Sequence, residues 1–257
     1  MTVPRIYCTP KLKDNSYIEL EQESLRYVKS VLRMKKGDRL ILFDGTGWEY
    51  EAVVKQVSKD SVVVKSGKGF APRDREISLT LIQSLPKANM MDFIVHKATE
   101  LGADRIIPFR SSRSVPRLSP EKIRAKMTRW QNIAVQSARQ CGRNDIPELI
   151  GVLSFEEAVT WPASGNLKII FWEEETEMGI KQLLGDAQLD GQRDIAIIVG
   201  PEGGFSKEEV AKAKEKGFVS VSLGRQVLKV DTAVLTILSI IQYEKGMFKG
   251  TEKKEFQ

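Results

Sequence analysis

With 257 residues, of which 41% are hydrophobic and 29% charged, the chain has room for two domains of globular composition with sizeable apolar cores. No apolar run approaches the ~18 residues of a membrane span, and no apolar signal region follows Met1-Thr2-Val3-Pro4-Arg5, so the expectation is a cytoplasmic protein with no membrane partner. A single histidine, His96, and two widely separated cysteines, Cys8 and Cys141, argue against a metal site, a disulfide and a histidine-based triad.

The net charge of +6 is unevenly spread. Residues 110–143 carry nine Lys or Arg against one acid, and residues 144–204 carry three against twelve. A basic block beside an acidic one suits either a face for a polyanion or a solvated charged helix.

Residues 1 to about 72 read as β-rich. Short apolar or alternating runs at Tyr17–Leu20, Arg39–Phe43, Tyr50–Val54 and Ser61–Val64 are separated by turn residues, with one helix predicted over Ser24–Met34. That spacing predicts a small barrel. Gly45 and Gly47 lack a third glycine and a following helix, so they read as a hairpin turn and not as a nucleotide fingerprint. Gly67-Lys68-Gly69-Phe70-Ala71-Pro72-Arg73-Asp74 has the composition of a linker.

Beyond it the pattern alternates. Strands are predicted at Ile77–Gln83, Arg105–Phe109, Leu167–Trp172, Asp194–Val199 and Phe218–Leu223. Helices are predicted over Asn89–Leu101, Pro120–Gln140, Met178–Leu184, Ser206–Lys216 and Thr232–Glu244, with a frayed polar tail over Lys249–Gln257. Such alternation implies an α/β domain built on a mostly parallel sheet. In the long helix, Ile123, Met127, Trp130, Ala134, Ala138 and Cys141 recur at three- and four-residue steps as a core stripe. Lys122, Lys126 and Arg129 line another face, and Arg139 and Arg143 extend the basic surface with forks suited to phosphate oxygens.

The run Asp194–Val199 is a strand buried on both faces that ends in Gly200-Pro201-Glu202-Gly203-Gly204-Phe205, and Ser206 with Glu209 forms a capping box that starts the next helix. Alone, this is either an ordinary strand-to-helix turn or a place where backbone meets a ligand. Two other predicted strands end in Glu173-Glu174-Glu175 and in Gly224-Arg225-Gln226. If the three are neighbours, their loops form a cleft of backbone amides and carbonyls able to bind a purine edge and a ribose. The three glutamates by themselves read as a solvated turn before they read as part of a site. The chain has neither Gly-x-Gly-x-x-Gly nor a Gly-Lys-Ser/Thr phosphate loop, so a ligand without phosphates is preferred.

A series of short motifs falls in a particular order. Ser84-Leu85-Pro86-Lys87 is followed by Met91-Asp92, Lys97-Ala98-Thr99-Glu100-Leu101-Gly102-Ala103, Ile107-Pro108-Phe109 and Arg113-Ser114-Val115. Then come Arg129-Trp130, Ala138-Arg139-Gln140-Cys141-Gly142-Arg143, Pro147, Gly200–Gly204 and Leu223-Gly224. This series resembles the RsmE family of ribosomal RNA uridine N3-methyltransferases of the knotted SPOUT class, and Pro4–Tyr7 and Val31–Met34 are similar to that family's amino-terminal domain.

The resemblance implies a PUA-like β-barrel RNA-binding domain over residues 1–72 and a knotted SPOUT methyltransferase domain over 73–257. It further implies a homodimer, S-adenosylmethionine as methyl donor, and small-subunit (16S) ribosomal RNA of the 30S particle as substrate. By position, the donor lies against Trp172, Glu173, Gly200, Pro201, Glu202, Gly203, Gly204, Leu223, Gly224, Val227 and Leu228. Where the family usually reads Leu-Gly-Pro-Arg-Ile-Leu-Arg-x-Glu-Thr-Ala, this chain has Leu223-Gly224-Arg225-Gln226-Val227-Leu228-Lys229-Val230-Asp231-Thr232-Ala233, which keeps the charge signs at Lys229 and Asp231.

For methylation at uridine N3, the protein must position the base, accept its proton and stabilise the uracil anion. Asp231 is the candidate base, against a helix-capping alternative, and Arg225 and Lys229 are candidate anion stabilisers. Arg5, Arg33, Lys87, Arg113, Arg139 and Arg143 are the candidate RNA contacts. The rival functions are a non-catalytic rRNA-binding assembly factor and a small-molecule enzyme using the same cleft.

Overall fold

The computed structural model describes residues 3–9, 11–72, 75–114, 118–162, 167–186 and 191–245. The predicted tail, Arg73 and Asp74 of the expected linker, and Val115 lie outside the described residues. The chain forms two compact units, residues 1–74 with 134–146, and residues 75–133 with 147–257.

The first unit is a five-stranded mixed sheet. Strands β1 (Arg5–Tyr7), β2 (Tyr17–Glu19), β3 (Arg39–Phe43), β4 (Glu49–Val57) and β5 (Val62–Phe70) pair in the order β1-β3-β4-β5-β2. Only β1 and β3 run parallel. The alternation read from the sequence places Leu40, Leu42, Val54, Val62 and Val64 inward, where they pack with Val28 and Ile6. Each fully buried aliphatic side chain of this kind contributes about 1.5–3 kcal/mol.

Three local readings are corrected. The helix expected over Ser24–Met34 is α1 (Gln22–Arg26) followed by a π-helical turn over Tyr27–Val31. Its Leu32 amide donates to the Tyr27 carbonyl at 3.0 Å, and the run stops where Arg33 takes a φ of 53°. Gly67–Phe70 is not linker but the end of β5. In-strand glycine marks a close approach, and a Cβ on Gly69 would sit 2.6 Å from the ring of buried Tyr50. Cys141 is exposed and falls off the apolar stripe, while Trp130, Ala134 and Ala138 are buried as read.

Residues 134–146 are stitched into the first unit. Asp145 bridges to Gly45 and Thr46, the Gly47 amide donates to the Asn144 carbonyl at 3.2 Å, and the Arg139 guanidinium lies 3.9 Å from the centroid of the Tyr27 ring.

The second unit is a parallel sheet. Its strands are β6 (Ser78–Ser84), β7 (Arg105–Arg110), β8 (Glu148–Leu149), β9 (Leu153–Ser154), β10 (Leu167–Phe171), β11 (Asp194–Val199) and β12 (Val219–Val221). They run in the order β12-β10-β11-β6-β7-β8, with β9 also on β7. Helices α2 (Met90–Glu100), α4 (Phe155–Thr160), α5 (Ile180–Leu184), α6 (Lys207–Glu215) and α7 (Val230–Lys245) alternate with them, and α3 (Pro120–Cys141) supplies its residues up to Ile133. The core gathers Ile82, Ile107, Phe109, Ile170, Ile198, Phe205 and Phe218. Strands β1, β8 and β9 and helix α4 had no counterpart in the sequence reading.

Replacing Gly69 with Ala is expected to destabilise the first unit by ~1–3 kcal/mol, because the new methyl must displace a packed ring. Gly67→Ala, whose methyl would meet only the Glu51 carbonyl at 3.4 Å, is expected to cost clearly less. Chemical denaturation of the two variants checks the difference.

Candidate functional site

Register places the three strand ends side by side. Phe171 of β10 pairs with Val199 of β11 and with Val221 of β12, and Val199 pairs in turn with Gln83 of β6. The loops beginning at Trp172, Gly200 and Ser222 therefore leave the sheet at one level. Strand order also reverses here, since β10 is flanked by β11 on one side and β12 on the other. In α/β sheets such a point opens a crevice beyond the carboxyl ends.

The glycine loop and the first of these loops touch directly. Gly204 has a φ of 65°, a left-handed conformation that favours glycine. A Cβ there would fall inside the Glu173 carboxylate, so that acid occupies the space left by the missing side chain. Gly204 donates to the Pro201 carbonyl at 3.0 Å, closing a tight turn. Phe205 then drops into the core, its ring stacked 6.4 Å from that of Phe109. Helix α6 starts from the Ser206–Glu209 capping box read from the sequence.

Four further groups hold this loop. The Gln83 side-chain amide donates to the Gly200 carbonyl at 3.3 Å, the Glu202 carboxylate accepts from the Lys87 amide at 2.8 Å, and Arg113 Nη1 donates to the Gly203 carbonyl at 2.8 Å. Buried Glu209 accepts from the Ser112 amide at 2.8 Å as well as from Ser206. Beneath them the hydroxyls of Ser84, Ser111 and Ser114 form a triangle with sides of 2.8–3.0 Å. None of these roles for Gln83 or the serines was read from the sequence. Helix α4 opens with a second capping box, Ser154–Glu157, whose Ser-x-x-Glu signature was available in the sequence and went unread.

Within the acidic run the three glutamates differ. Glu173 lies against Gly204, Glu174 faces Lys207 at 3.7 Å, and Glu175 accepts from the amides of Thr176 and Glu177, with Lys214 at 3.6 Å. Glu175 thus shapes the turn. Trp172 donates its amide to the Val221 carbonyl at 3.1 Å, while its indole Nε1 is buried with no hydrogen-bond partner among the described residues.

The third loop is the most open. Ser222 and Gly224 close a small turn on the Ser222 hydroxyl. Leu223 and Leu228 are half-buried, Arg225, Gln226 and Lys229 are exposed, and Val227 is 80% exposed. Asp231, in the first turn of α7, accepts from the Thr232 amide at 2.8 Å.

The six candidate RNA contacts divide. Arg5 is bonded to Glu49 at 3.1 Å and to Asn144, and lies over the Phe43 ring. Arg143 pairs with Asp145, and burial pushes its guanidinium down to about 10, still charged at neutral pH. Both are committed inside the first unit. Arg33 is exposed, and Arg139 is half-buried over Tyr27. Lys87 and Arg113 are brought together in the second unit at the glycine loop. Among the described residues no group of three or more His, Cys, Asp or Glu could hold a metal, and no helix is long and apolar enough to cross a membrane.

Comparison with known proteins matches the RNA methyltransferase domain family over residues 73–242 and the RNA methyltransferase PUA domain over residues 20–65. The chain is 31% identical over 237 residues to the ribosomal RNA small subunit methyltransferase E of Bacillus subtilis, covering 90% of this chain and 91% of that protein. Among solved structures, a methyltransferase from Legionella pneumophila with bound S-adenosylmethionine is 32% identical, with a TM-score of 0.84 and coverage of 95% of this chain and 98% of that one. A ribosomal RNA small subunit methyltransferase E from Neisseria gonorrhoeae bound to S-adenosylmethionine is 29% identical, with a TM-score of 0.86 and coverage of 96% and 100%.

Gly204→Ala is expected to lose ~1–2 kcal/mol from its left-handed backbone alone, plus the cost of evicting the Glu173 carboxylate. Adding Glu173→Ala should recover the steric part and leave the backbone part. Unfolding titrations of the single and double variants read this coupling, and strict additivity would remove the contact from the account.

Proposed function

The chain belongs to the RNA methyltransferase family that includes ribosomal RNA small subunit methyltransferase E, and on that premise we propose that it methylates N3 of one uridine in small-subunit (16S) ribosomal RNA, with S-adenosylmethionine as donor. The observation that carries the reading is the level ending of β10, β11 and β12 around a glycine loop on whose Gly204 the Glu173 carboxylate rests.

The residues present suit an adenosine-bearing cation. The Trp172 indole has a buried N–H in want of an acceptor, Gly203 offers exposed backbone, and Leu223, Val227 and Leu228 offer apolar surface. Trp172, Glu173, Gly200–Gly204, Leu223, Gly224, Val227 and Leu228 would hold the donor, with Pro201 and Glu202 fixing the turn. The bound donor supplies a methyl group already activated on a sulfonium.

This chain's own tasks are orientation and proton transfer. Asp231 takes the N3 proton, and Arg225 and Lys229 stabilise the negative charge that develops on uracil. Lysine at 229 acts as a point charge where the family's arginine offers a fork. Residues 1–72 serve as the PUA-like RNA-binding domain and 73–257 as the methyltransferase domain, with Arg33, Lys87, Arg113 and Arg139 as the accessible candidates for RNA. The protein works as a cytoplasmic homodimer. Exposed Phe93 on α2, Val227 before α7 and Tyr243 on α7 support self-association, which sedimentation would measure.

Incubation with labelled donor and unmodified 30S subunits or naked 16S rRNA should label a single uridine at N3. Binding to rRNA without donor binding in calorimetry would instead identify a non-catalytic assembly factor. Asp231→Asn keeps an acceptor for the Thr232 amide, so the fold should persist while kcat falls about 10²–10⁴-fold. A wild-type rate across pH for this variant would exclude Asp231 as the base.

A further inference from the structure

The outward face of the five-stranded sheet has no part in the donor cleft. Residues directly opposite one another in antiparallel strands share a face. Tyr17 of β2 is opposite Lys65 of β5, Lys65 is opposite Val53 of β4, and Val53 is opposite Arg39 of β3. Their inward neighbours Ile18, Val64, Val54 and Leu40 pack in the core, so Tyr17, Lys65, Val53 and Arg39 form one outward row across four strands.

The chemistry of this row is unlike that of an ordinary solvated sheet. Tyr17 is 66% exposed, and the Lys65 ammonium lies over its ring at 5.5 Å from the centroid. No acid stands in the row. Lys55, at an irregularity in the pairing of β4 with β5, is also exposed and lines an open hollow of about 450 Å³ with Lys35 and Lys36. The Asp38 carboxylate beside that hollow accepts from the Lys35 amide at 2.6 Å. Among the described residues, the side chains of Lys35, Lys36, Arg39 and Lys55 make no ion pair or hydrogen bond. Glu19 and Glu51 are the acids on neighbouring rows. Arg39 and Lys65 of the row and the three lysines of the hollow make five cations, against the three acids Glu19, Glu51 and Asp38, and among the described residues four of the five cations make no ion pair or hydrogen bond.

An exposed aromatic ring between cations is what a flexible polyanion with flat bases requires. Bases stack on the ring, and the cations bind phosphates. We propose that this face docks a single-stranded stretch of the RNA substrate. A base stacks on Tyr17, and the flanking phosphates are held by Lys65, Arg39 and the lysines of the hollow. The proposal rests on the reading of the chain as an rRNA methyltransferase. It adds a second contact region to that reading, with a stated mode of binding.

The test uses full-length protein and a fluorescent, unstructured fragment of small-subunit rRNA. Tyr17→Ala should weaken binding about 5- to 150-fold, the range for loss of one stacked base, while Tyr17→Phe, which keeps the ring, stays within about twofold of wild type. Replacing Lys35, Lys36 and Lys55 with Gln should lower the slope of log affinity against log salt by about 2, as expected for three lost phosphate contacts on a single strand. Donor binding by calorimetry should be unchanged in every variant, which also reports an intact second unit, and KM for rRNA should rise with kcat held.

Wild-type affinity for Tyr17→Ala, or equal losses for Tyr17→Ala and Tyr17→Phe, would overturn the stacking site. Normal binding of naked RNA by Tyr17→Ala with lost affinity for assembled subunits would assign the face to a ribosomal protein and overturn the proposal. The binding arm needs no methyl transfer, so a wild-type protein that binds this fragment through Tyr17 but transfers no methyl would refute the proposed reaction and leave the surface standing.

Discussion

The second unit depends on parallel pairing that brings four strands to an end at one level. Gln83, Val199, Phe171 and Val221 are linked in register across β6, β11, β10 and β12. A parallel sheet of this kind buries both faces, and the residues show it, since Ile195–Val199 and Ile169–Phe171 are all buried. A ligand has access only beyond the strand ends. The reversal of order around β10 separates the outgoing loops there, so the same hydrogen bonds that hold the core also position the cleft.

Polar stitching then fixes the loop that lines it. Gly200–Gly204 is held by Gln83 on the Gly200 carbonyl, by Arg113 on the Gly203 carbonyl and by its own Glu202 on the Lys87 amide, while Glu209 ties the following Ser206 to Ser112, all at 2.8–3.3 Å. Gln83 and Glu209 are buried, where an unmet polar group costs about 1–3 kcal/mol. Glu209 and the Gln83 side-chain N–H group meet that cost with backbone partners and so order the loop before anything binds, while Gln83 Oε1 is buried with no hydrogen-bond partner among the described residues. A pre-ordered loop pays less entropy on binding. Arg113 is drawn into this stitching and is oriented by it, which a count of positive charges does not reveal.

Elements governed by local pattern were legible in the sequence. The run Asp194–Val199, its glycine ending and the Ser206–Glu209 box fall where their residues predict, because periodicity and capping are short-range. Two-residue strands such as β8 and β9 carry too little pattern to read. Gly67–Phe70 has the glycine content of a linker, whereas in the fold Gly69 makes room for the Tyr50 ring. Arg5 and Arg143 looked available to RNA because burial by distant partners, Glu49, Asn144 and Asp145, leaves no mark in the local sequence. The level strand ends followed from the pattern only conditionally, since neighbour relations in a sheet are long-range facts. The exposed row from Tyr17 to Arg39 was hidden for the same reason, its four members lying far apart in the chain.

The stitching of residues 134–146 into the first unit also orders events in time. A ribosome that has made the first 74 residues must add about 60 more before Ala134 appears, which takes roughly 3–12 s at ~5–20 residues per second. Meanwhile Gly47 lacks the Asn144 carbonyl, and Tyr27 lacks the Arg139 guanidinium. The contacts that residues 134–146 add to the amino-terminal unit can therefore form only after β6, α2, β7 and most of α3 have been translated.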